Sequence, residues 1–248
     1  MQIDEFVKLA KTRRSIRKFR PDPIPDGCIE KMIDAARFAQ SGANAQSWEF
    51  IVVKDRATRD KITDLVIESK KYTWDIEKTR LEEIRHPGFA HGRQGEPVSS
   101  FREAPVFIVV CGDPRTVQAT VLISQFLNNE GGPFAHFLKN IGNATQILQL
   151  AAAACGLGAQ WVSINSTIEA RLKTLLDVPV ELSIHTVVPI GYPAYTPAPA
   201  YRREVNEITH YEKYDRSKYR SGDDICNFLV NLRKKTIPAY PGKPGQKV

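Results

Sequence analysis

Apolar residues recur along the chain with the period of an α-helix. In residues 26–39 they fall on one helical face, at Ile29, Met32, Ile33, Ala36 and Ala39. Comparable patterns predict further helices at residues 4–13, from 58 toward 84, at 116–128, at 134–155 and at 166–176. Gly156 is expected to end the helix at 155, and Ser166-Thr167-Ile168-Glu169 has the pattern of a capping box that opens the last helix.

Four short apolar runs are typical of buried β-strands. They lie at residues 50–53, 105–111, 160–164 and 184–190. Strands that alternate with about seven helices predict an α+β fold, a mixed sandwich with a central sheet flanked by helices. A Pro-rich linker at 193–199 follows the last strand. We therefore expect one domain over residues 1–215 and a C-terminal arm over residues 216–248.

The composition is that of an ordinary globular protein, with 42% hydrophobic and 25% charged residues among 248. No apolar run approaches the roughly 18 residues that a membrane span needs. The N-terminus is acidic and lacks the basic start and apolar stretch of a signal peptide. These features predict a cytoplasmic protein that does not associate with a membrane.

The net charge of +7 is concentrated near the C-terminus. Residues 216–248 contain eight Lys or Arg and two acidic residues, so they hold nearly all of the positive excess. A basic tail of this kind is a weak handle for anions and is more often a solvated extension. We expect no nucleic-acid surface on the main body.

Cysteine and histidine spacing argues against a metal site or a disulfide framework. The cysteines are scattered and form no Cys-x-x-Cys pair, at Cys28, Cys111, Cys155 and Cys226. Cys111 and Cys155 sit inside apolar stretches and are interpreted as small buried side chains. His86 and His91 are five residues apart in a loop-like stretch, a poor spacing for metal ligands. We expect no metal.

Two polar clusters in the first fifty residues have chemistry suited to a ligand. Three guanidiniums and a hydroxyl follow the first predicted helix, in Arg13-Arg14-Ser15-Ile16-Arg17. Arginine presents a planar fork of donors to phosphate oxygens, although a basic helix end also complements the helix dipole without any ligand. Residues 40–48 combine small residues with the amides of Asn44 and Gln46, which suit the edge of a heterocycle or an ordinary polar turn.

Two further segments lie in the second half of the chain. Residues 156–166 begin with a Gly-Leu-Gly turn, and residues 200–208 carry a second basic pair after the Pro-rich linker. The chain has no Gly-x-Gly-x-x-Gly dinucleotide fingerprint, no Walker loop, no Gly-x-Ser-x-Gly elbow and no His-Glu-x-x-His. The motifs of several large enzyme classes are therefore absent.

Taken together and in this order, the four segments resemble the FMN-dependent nitroreductase superfamily over residues 6–211. The landmarks are an opening Arg-Arg-Ser-x-Arg-x-Phe, a Ser-Gly-x-Asn-x-Gln-x-Trp segment, the Gly-Leu-Gly turn, a Pro-x-Gly-Tyr-Pro strand end and a late Arg-Arg. The resemblance implies a mixed α+β sandwich and a homodimer that binds FMN at the subunit interface.

The resemblance also implies which residues bind FMN. The phosphate and ribityl side would be met by Arg13, Arg14, Ser15 and Arg17, and closed by Arg202 or Arg203. The flavin would be reached from the partner subunit by Ser41, Gly42, Ala43 and Asn44, with Gln46 close to them. The ring would lie against Ile164, Asn165 and Ser166, with a backbone N–H aimed at its reactive nitrogen.

The function implied is that of an NAD(P)H-dependent flavin oxidoreductase. NAD(P)H would deliver hydride to FMN, and a small conjugated acceptor such as a nitroaromatic or a quinone would then take two electrons. Because the cofactor carries the chemistry, no catalytic side chain is named. The alternatives are a specialised relative (a reductive dehalogenase, an ene-type reductase or a flavin-destroying enzyme), a non-catalytic FMN-binding protein, and an anion-binding protein led by the basic tail.

Two segments have no counterpart in the family pattern. Residues 70–101 begin charged and turn Gly- and Pro-rich, which predicts either a lid over the open face of the flavin or a surface excursion that caps the sheet. Candidate substrate contacts are Trp74, Phe89, Arg93, Phe101 and Phe134, with Arg93 as a charge for an anionic acceptor. The arm is expected to wrap the partner subunit through an apolar stripe at Ile225, Phe228, Leu229 and Leu232.

Overall fold

The computed structural model describes residues 2–79, 101–118, 132–197 and 199–236. These residues form two compact units, of which the first is Met1–Tyr195 and the second begins at Thr196. The change of unit therefore falls within the Pro-rich linker, earlier than the expected boundary after residue 215. The first unit contains the sheet.

Five antiparallel strands form one sheet in the first unit. β1 (Trp48–Val53), β2 (Val106–Gly112) and β5 (Ser183–Gly191) pair in that order, and two short strands, β3 (Gly158–Ala159) and β4 (Val162–Ser163), both pair with β5. Every residue of β2 is buried, as its apolar sequence predicts. The α+β class is confirmed.

The strand predicted at residues 160–164 is divided into two short strands. The pairings Ala159–Ile190 and Val162–Val187 keep one register with β5, which places Gln160 opposite Pro189. Proline has no backbone N–H and so cannot donate to the ladder. Only the N–H of Gln160 bridges the gap, to the carbonyl of Pro189 at 3.3 Å. The predicted strand is therefore interrupted at the proline.

The helices follow the predicted pattern with shifted ends. In the first unit they are α1 (Ile3–Thr12), α2 (Cys28–Arg37), α3 (Arg56–Lys78), α4 (Arg115–Gln118), α5 (Gly132–Ala154) and α6 (Ser166–Leu176). In the second unit they are α7 (Val205–Ile208) and α8 (Gly222–Thr236). Among the described residues, no helix is both long and apolar enough to cross a membrane. Residues 119–131, where the predicted helix 116–128 ends, lie outside the described residues.

Two helix ends show which local prediction was right and which was wrong. Gly156 ends α5 with a φ of 72°, as expected for a left-handed stop residue. The expected capping box at Ser166 does not form, because Asn165 is the N-cap of α6 and its side chain accepts from the N–H of Ile168. The carboxylate of Glu169 instead accepts the N–H of Ile184 at 3.0 Å, which ties α6 to β5.

The sheet is buried on both faces by separate clusters of apolar side chains. One cluster contains the β2 residues Val106, Ile108 and Val110 together with residues of α2 and α5. The other contains the alternate β2 residues Phe107, Val109 and Cys111 together with residues of α3 and α6. This alternation follows from strand geometry, because successive side chains point to opposite faces of the sheet and both faces are covered. Burial also raises the pKa of Cys111 to about 11, so its thiol stays protonated.

Helices α2 and α5 pack antiparallel in a defined register. The side-chain amide of Asn143 in α5 donates to the carbonyl of Gln40, just past the end of α2, at 3.0 Å. Cys28 lies twelve residues before Gln40, and Cys155 lies twelve residues after Asn143. Cys155 is half-buried and not buried as the sequence pattern predicted, and partial desolvation and the neighbouring thiol of Cys28 raise its pKa. The first turn of α2 therefore meets the end of α5.

This register predicts one intramolecular disulfide when the protein is treated with the thiol oxidant diamide. Cys28 and Cys155 should join with the loss of two hydrogens, which diamide accepts, because their thiols are neighbours where α2 contacts α5. Peptide mass mapping measures the product. Cys28→Ser should abolish it, whereas Cys226→Ser should leave it intact because Cys226 lies exposed in the second unit. A crosslink to Cys111, or none, contradicts the register.

Candidate functional site

The arginine segment (residues 13–17) leaves the end of α1 and runs along the edge of the sheet. Ser15 forms a parallel bridge with Ala159 of β3, in which the N–H of Ile16 donates to the carbonyl of Ala159 at 3.0 Å. The side chain of Ile16 is buried in the core cluster under α3 and α6. The backbone of the segment is thus fixed to the sheet between Arg13 and Arg17.

A close packing contact holds the segment against β3. A Cβ added at Gly158 would lie 2.4 Å from Cγ1 of Ile16 and 2.8 Å from its Cβ, too close for any real side chain. The second glycine of the Gly-Leu-Gly turn is therefore required because Ile16 occupies the space above it. The Arg13–Arg17 cluster and the 156–166 segment, identified separately in the sequence, meet here.

Arg14 carries an unpaired donor. Its Nη1 donates to the carbonyl of Arg13 at 2.8 Å and also to the carbonyl of Lys11. Its Nε is buried and has no hydrogen-bond partner within the part of the chain that the structure describes. A buried donor of a charged group is normally paired, so this nitrogen calls for an acceptor beyond the described residues.

The turn at residues 164–166 is tied to helix α3. Asn165, besides capping α6, donates its side-chain N–H to Oγ of Ser69 at 2.6 Å. The N–H of Ile164 donates to the carbonyl of His185 in β5 at 3.3 Å. The start of α6, with its outward N–H groups and positive dipole end, is therefore held between the sheet and α3.

Lys70, the residue after Ser69, brings a further cation beside the arginine segment. Its Nζ lies 5.7 Å from the ring centroid of Phe101. Lys70 is exposed as a whole residue, but packing around its ammonium, and then the positive charge of Arg17, lower the pKa of this group. Neither Ser69 nor Lys70 was singled out from the sequence, because both sit in a charged helix that matches no motif.

The loop at residues 41–46 has an unusual backbone. Ala43, Asn44 and Gln46 have φ values of 53°, 52° and 46°, in the left-handed region that is unfavourable for residues other than glycine. The N–H of Gly42 donates to Oδ1 of Asn140 in α5 at 3.2 Å. Strained backbone of this kind clusters at ligand sites. The described hydrogen bonds of this loop go to α5 and to its own residues, and none of them joins it to the arginine segment.

The predicted substrate residues are spread over three places. Trp74 lies on α3, one turn beyond Lys70, and Phe134 at the start of α5 is 59% exposed. Phe101 is fully buried and packs edge-on against Phe107 at 5.6 Å between ring centroids, so its ring belongs to the core and does not form an open pocket wall. Phe89 and Arg93, with residues 80–100 of the predicted lid, lie outside the described residues.

The late basic pair lies in the second unit. Nη1 of Arg202 donates to the carbonyl of Tyr201 at 2.7 Å, and Nη2 of Arg203 donates to the carbonyl of Glu207 at 2.7 Å. Within the same unit the ring of Tyr201 packs against Phe228 of α8, with 6.3 Å between centroids. In the predicted apolar stripe of α8, Phe228 therefore covers part of its own unit, while Leu229 is 43% exposed.

Comparison with known proteins assigns the family. The model described as the nitroreductase family matches residues 10–192, about three quarters of the chain. The chain belongs to the nitroreductase family. This match spans the arginine segment, the 41–46 loop and the 164–166 turn and ends at Tyr192, within the Gly-Tyr-Pro strand end, and it confirms the resemblance that these segments suggested.

Relatives within the family have different activities. The chain is 31% identical to 5,6-dimethylbenzimidazole synthase of Rhodospirillum rubrum over 190 residues, which are 77% of this chain and 82% of that protein. It is 26% identical to an NADH dehydrogenase of Thermus thermophilus over 214 residues, 80% and 92% of the two chains. A crystal structure of iodotyrosine deiodinase bound to FMN and 3-iodo-L-tyrosine shares the fold, with a TM-score of 0.64 at 22% identity over 84% and 100% of the two chains.

The contact between Ile16 and Gly158 predicts the effect of one methyl group. Gly158→Ala should lower the free energy of unfolding by about 1–3 kcal/mol, because Ile16 must move and the bridge to Ala159 must widen. Urea denaturation measures this difference. Gly222→Ala, where an added Cβ meets nothing within 4 Å, is the matched control and should change stability by less than about 0.5 kcal/mol. Equal stability of the two variants contradicts the packing account.

Proposed function

We propose that the chain is an FMN-dependent oxidoreductase that works as a homodimer. The observation that carries this proposal is the arginine segment, fixed to β3, in which the buried Nε of Arg14 has no hydrogen-bond partner among the described residues. Such a segment fits a phosphate monoester, since its donors are charged and its backbone cannot move away from the sheet. The FMN-bound structure with the same fold supports phosphate and flavin as the ligand.

Different segments of this chain are proposed to bind different parts of FMN. Arg13, Ser15 and Arg17, with Arg14 beside them, are proposed to bind the phosphate and ribityl side. The 164–166 turn is proposed to lie against the ring and to aim a backbone N–H at the nitrogen that accepts hydride. When bound, FMN supplies two-electron hydride chemistry, while the protein orients it and stabilises the charge that develops.

The electron donor and acceptor are the finer part of the proposal. NAD(P)H is proposed as the donor, supported by the NADH dehydrogenase relative. A small conjugated molecule such as a nitroaromatic or a quinone is proposed as the acceptor. The synthase and deiodinase relatives favour a second candidate, in which the same flavin site serves a specialised substrate instead of a broad range of oxidants.

The homodimer is supported by apolar surface on the first unit. Ile3 and Phe6 of α1 are 71% and 41% exposed, and Leu138 of α5, a helix that contacts α1, is 41% exposed. Exposed apolar side chains on two contacting helices fit a surface that a partner subunit covers. The strained 41–46 loop is fixed to the same helix α5 through Asn140. We therefore propose that α5 lies at the subunit interface and that residues 41–44, with Gln46, contact the FMN held by the partner.

Removing single arginines of the segment should weaken FMN binding. Arg13→Ala and Arg17→Ala should each reduce the binding free energy by about 1.5–3 kcal/mol, the usual worth of a charge-assisted hydrogen bond. Fluorescence quenching of FMN on binding measures the affinity. Arg37→Ala, which removes an exposed arginine paired with Asp34 on α2, is the control and should leave the affinity unchanged. Equal FMN affinity in the Arg13/Arg17 double variant overturns the assignment.

Anaerobic reduction tests the activity itself. The FMN-saturated protein should lose its yellow colour when NADH or NADPH is added, and the colour should return with one equivalent of a suitable two-electron acceptor. A panel of nitroaromatics, quinones and halogenated phenols then separates the broad oxidoreductase from the specialised relative. Protein that stays yellow with both nicotinamides is a flavin carrier and not a reductase, and protein that takes no flavin refutes the cofactor proposal.

A further inference from the structure

Helix α3 places a cation and an aromatic side chain at the site described above. Lys70 and Trp74 are four residues apart, so they lie one turn apart on the same helical face. Ser69, directly before Lys70, accepts the hydrogen bond from Asn165 at 2.6 Å. The position of Lys70 is thus fixed relative to the 164–166 turn, against which the flavin ring is proposed to lie.

The ammonium of Lys70 lies over the ring of a buried phenylalanine. Its Nζ lies 5.7 Å from the ring centroid of Phe101, and Phe101 is fully buried against Phe107. Phe101 and Ile16, the neighbour of Arg17, belong to the same core cluster. Lys70 lies over Phe101, and Arg17 directly follows Ile16. Because Phe101 and Ile16 pack in one cluster, the two cations lie on neighbouring parts of the structure, α3 and the arginine segment.

The charges at this point favour a negative ligand. Arg17 and Lys70 are close enough for the positive charge of Arg17, after burial, to lower the pKa of Lys70. Two neighbouring cations repel each other in a partly desolvated setting, and an anion placed beside them relieves that repulsion. Arg17 is already assigned to the phosphate and ribityl side of FMN, so the cation that is left for the acceptor is Lys70.

We propose that Lys70 binds a carboxylate on the electron acceptor, so that this protein selects anionic conjugated substrates. Trp74 provides an aromatic wall for the same molecule. The proposal rests on the proposed flavin function, because the acceptor is taken to lie against the ring beside the 164–166 turn. The positive charge for an anionic acceptor, which the sequence pattern predicted at Arg93, is thereby proposed to lie on α3.

A pair of acceptors that differ only in charge tests the proposal. The FMN-saturated protein is titrated with 4-nitrobenzoate and with 4-nitrobenzamide, following the flavin absorbance for the dissociation constant and the reoxidation rate for kcat/KM. Lys70→Gln should weaken the binding of 4-nitrobenzoate by about tenfold or more, as expected for a lost charge-assisted contact. The dissociation constant of 4-nitrobenzamide should change by less than about twofold, since no charged contact is lost.

The neighbouring lysine gives a matched control. Lys71 is exposed on a different face of α3, and Lys71→Gln removes the same charge from the same helix. It should leave both dissociation constants unchanged, which separates a contact at Lys70 from the general field of the protein. Added salt should weaken the binding of 4-nitrobenzoate to the unsubstituted protein more than its binding to the Lys70→Gln variant.

Three results would overturn the proposal. Equal weakening of both acceptors in Lys70→Gln means that the side chain has a structural role, and equal effects of Lys70→Gln and Lys71→Gln mean that only net charge matters. Loss of FMN affinity in Lys70→Gln, with unchanged preference between the two acceptors, assigns Lys70 to the cofactor. Failure of the proposed function is seen separately, since the unsubstituted protein would then bind no FMN or would not be bleached by a nicotinamide, and the acceptor proposal would fall with it.

Discussion

The pairing of the arginine segment with the edge of the sheet is the contact on which the candidate site depends. The N–H of Ile16 donates to the carbonyl of Ala159, and the side chain of Ile16 fills the space left by the missing Cβ of Gly158. The same side chain continues into the core under α3 and α6. Because one residue joins backbone pairing to core packing, the donors on either side of it are held by the stability of the whole unit.

The two covered faces of the sheet explain why the site lies where it does. Alternate residues of β2 fill the cluster under α2 and α5 and the cluster under α3 and α6, so both faces of this strand are covered. Polar groups gather instead where short edge strands and helix ends meet, at β3, the start of α6 and the adjoining turn of α3. The bond between Asn165 and Ser69 closes that corner.

Local pattern was sufficient for most of the fold and for locating the two segments, 13–17 and 156–166, that meet at the candidate site. The apolar run of β2, the one-sided helix α2 and the stop at Gly156 follow from period and residue type, which act over a few neighbours. The break at Gln160 did not follow, because it depends on Pro189 lying opposite in a partner strand. Asn165 and not Ser166 is the cap because the backbone of Asn165 is extended, with φ −101° and ψ 166°, whereas Ser166 is already the first helical residue.

Ser69 and Lys70 mark the limit of sequence reasoning in this chain. Nothing in a charged helix distinguishes these residues from their neighbours, and the contact that makes Ser69 informative spans 96 positions. Phe101 shows the opposite error, in which a residue singled out from the sequence does not line an open site. It follows a Gly- and Pro-rich stretch in the sequence but is fully buried in the core. Long-range packing, and not residue type, decides which polar and aromatic side chains reach the site.

A crystal structure of the protein with FMN tests the central claim most directly, because it locates the cofactor relative to the arginine segment. The account predicts phosphate oxygens within hydrogen-bonding distance of Arg13 and Arg17, an acceptor for Nε of Arg14 from the ligand or its ordered water, and the ring against the 164–166 turn. A flavin bound elsewhere, or a phosphate that avoids the segment fixed to β3, would contradict it.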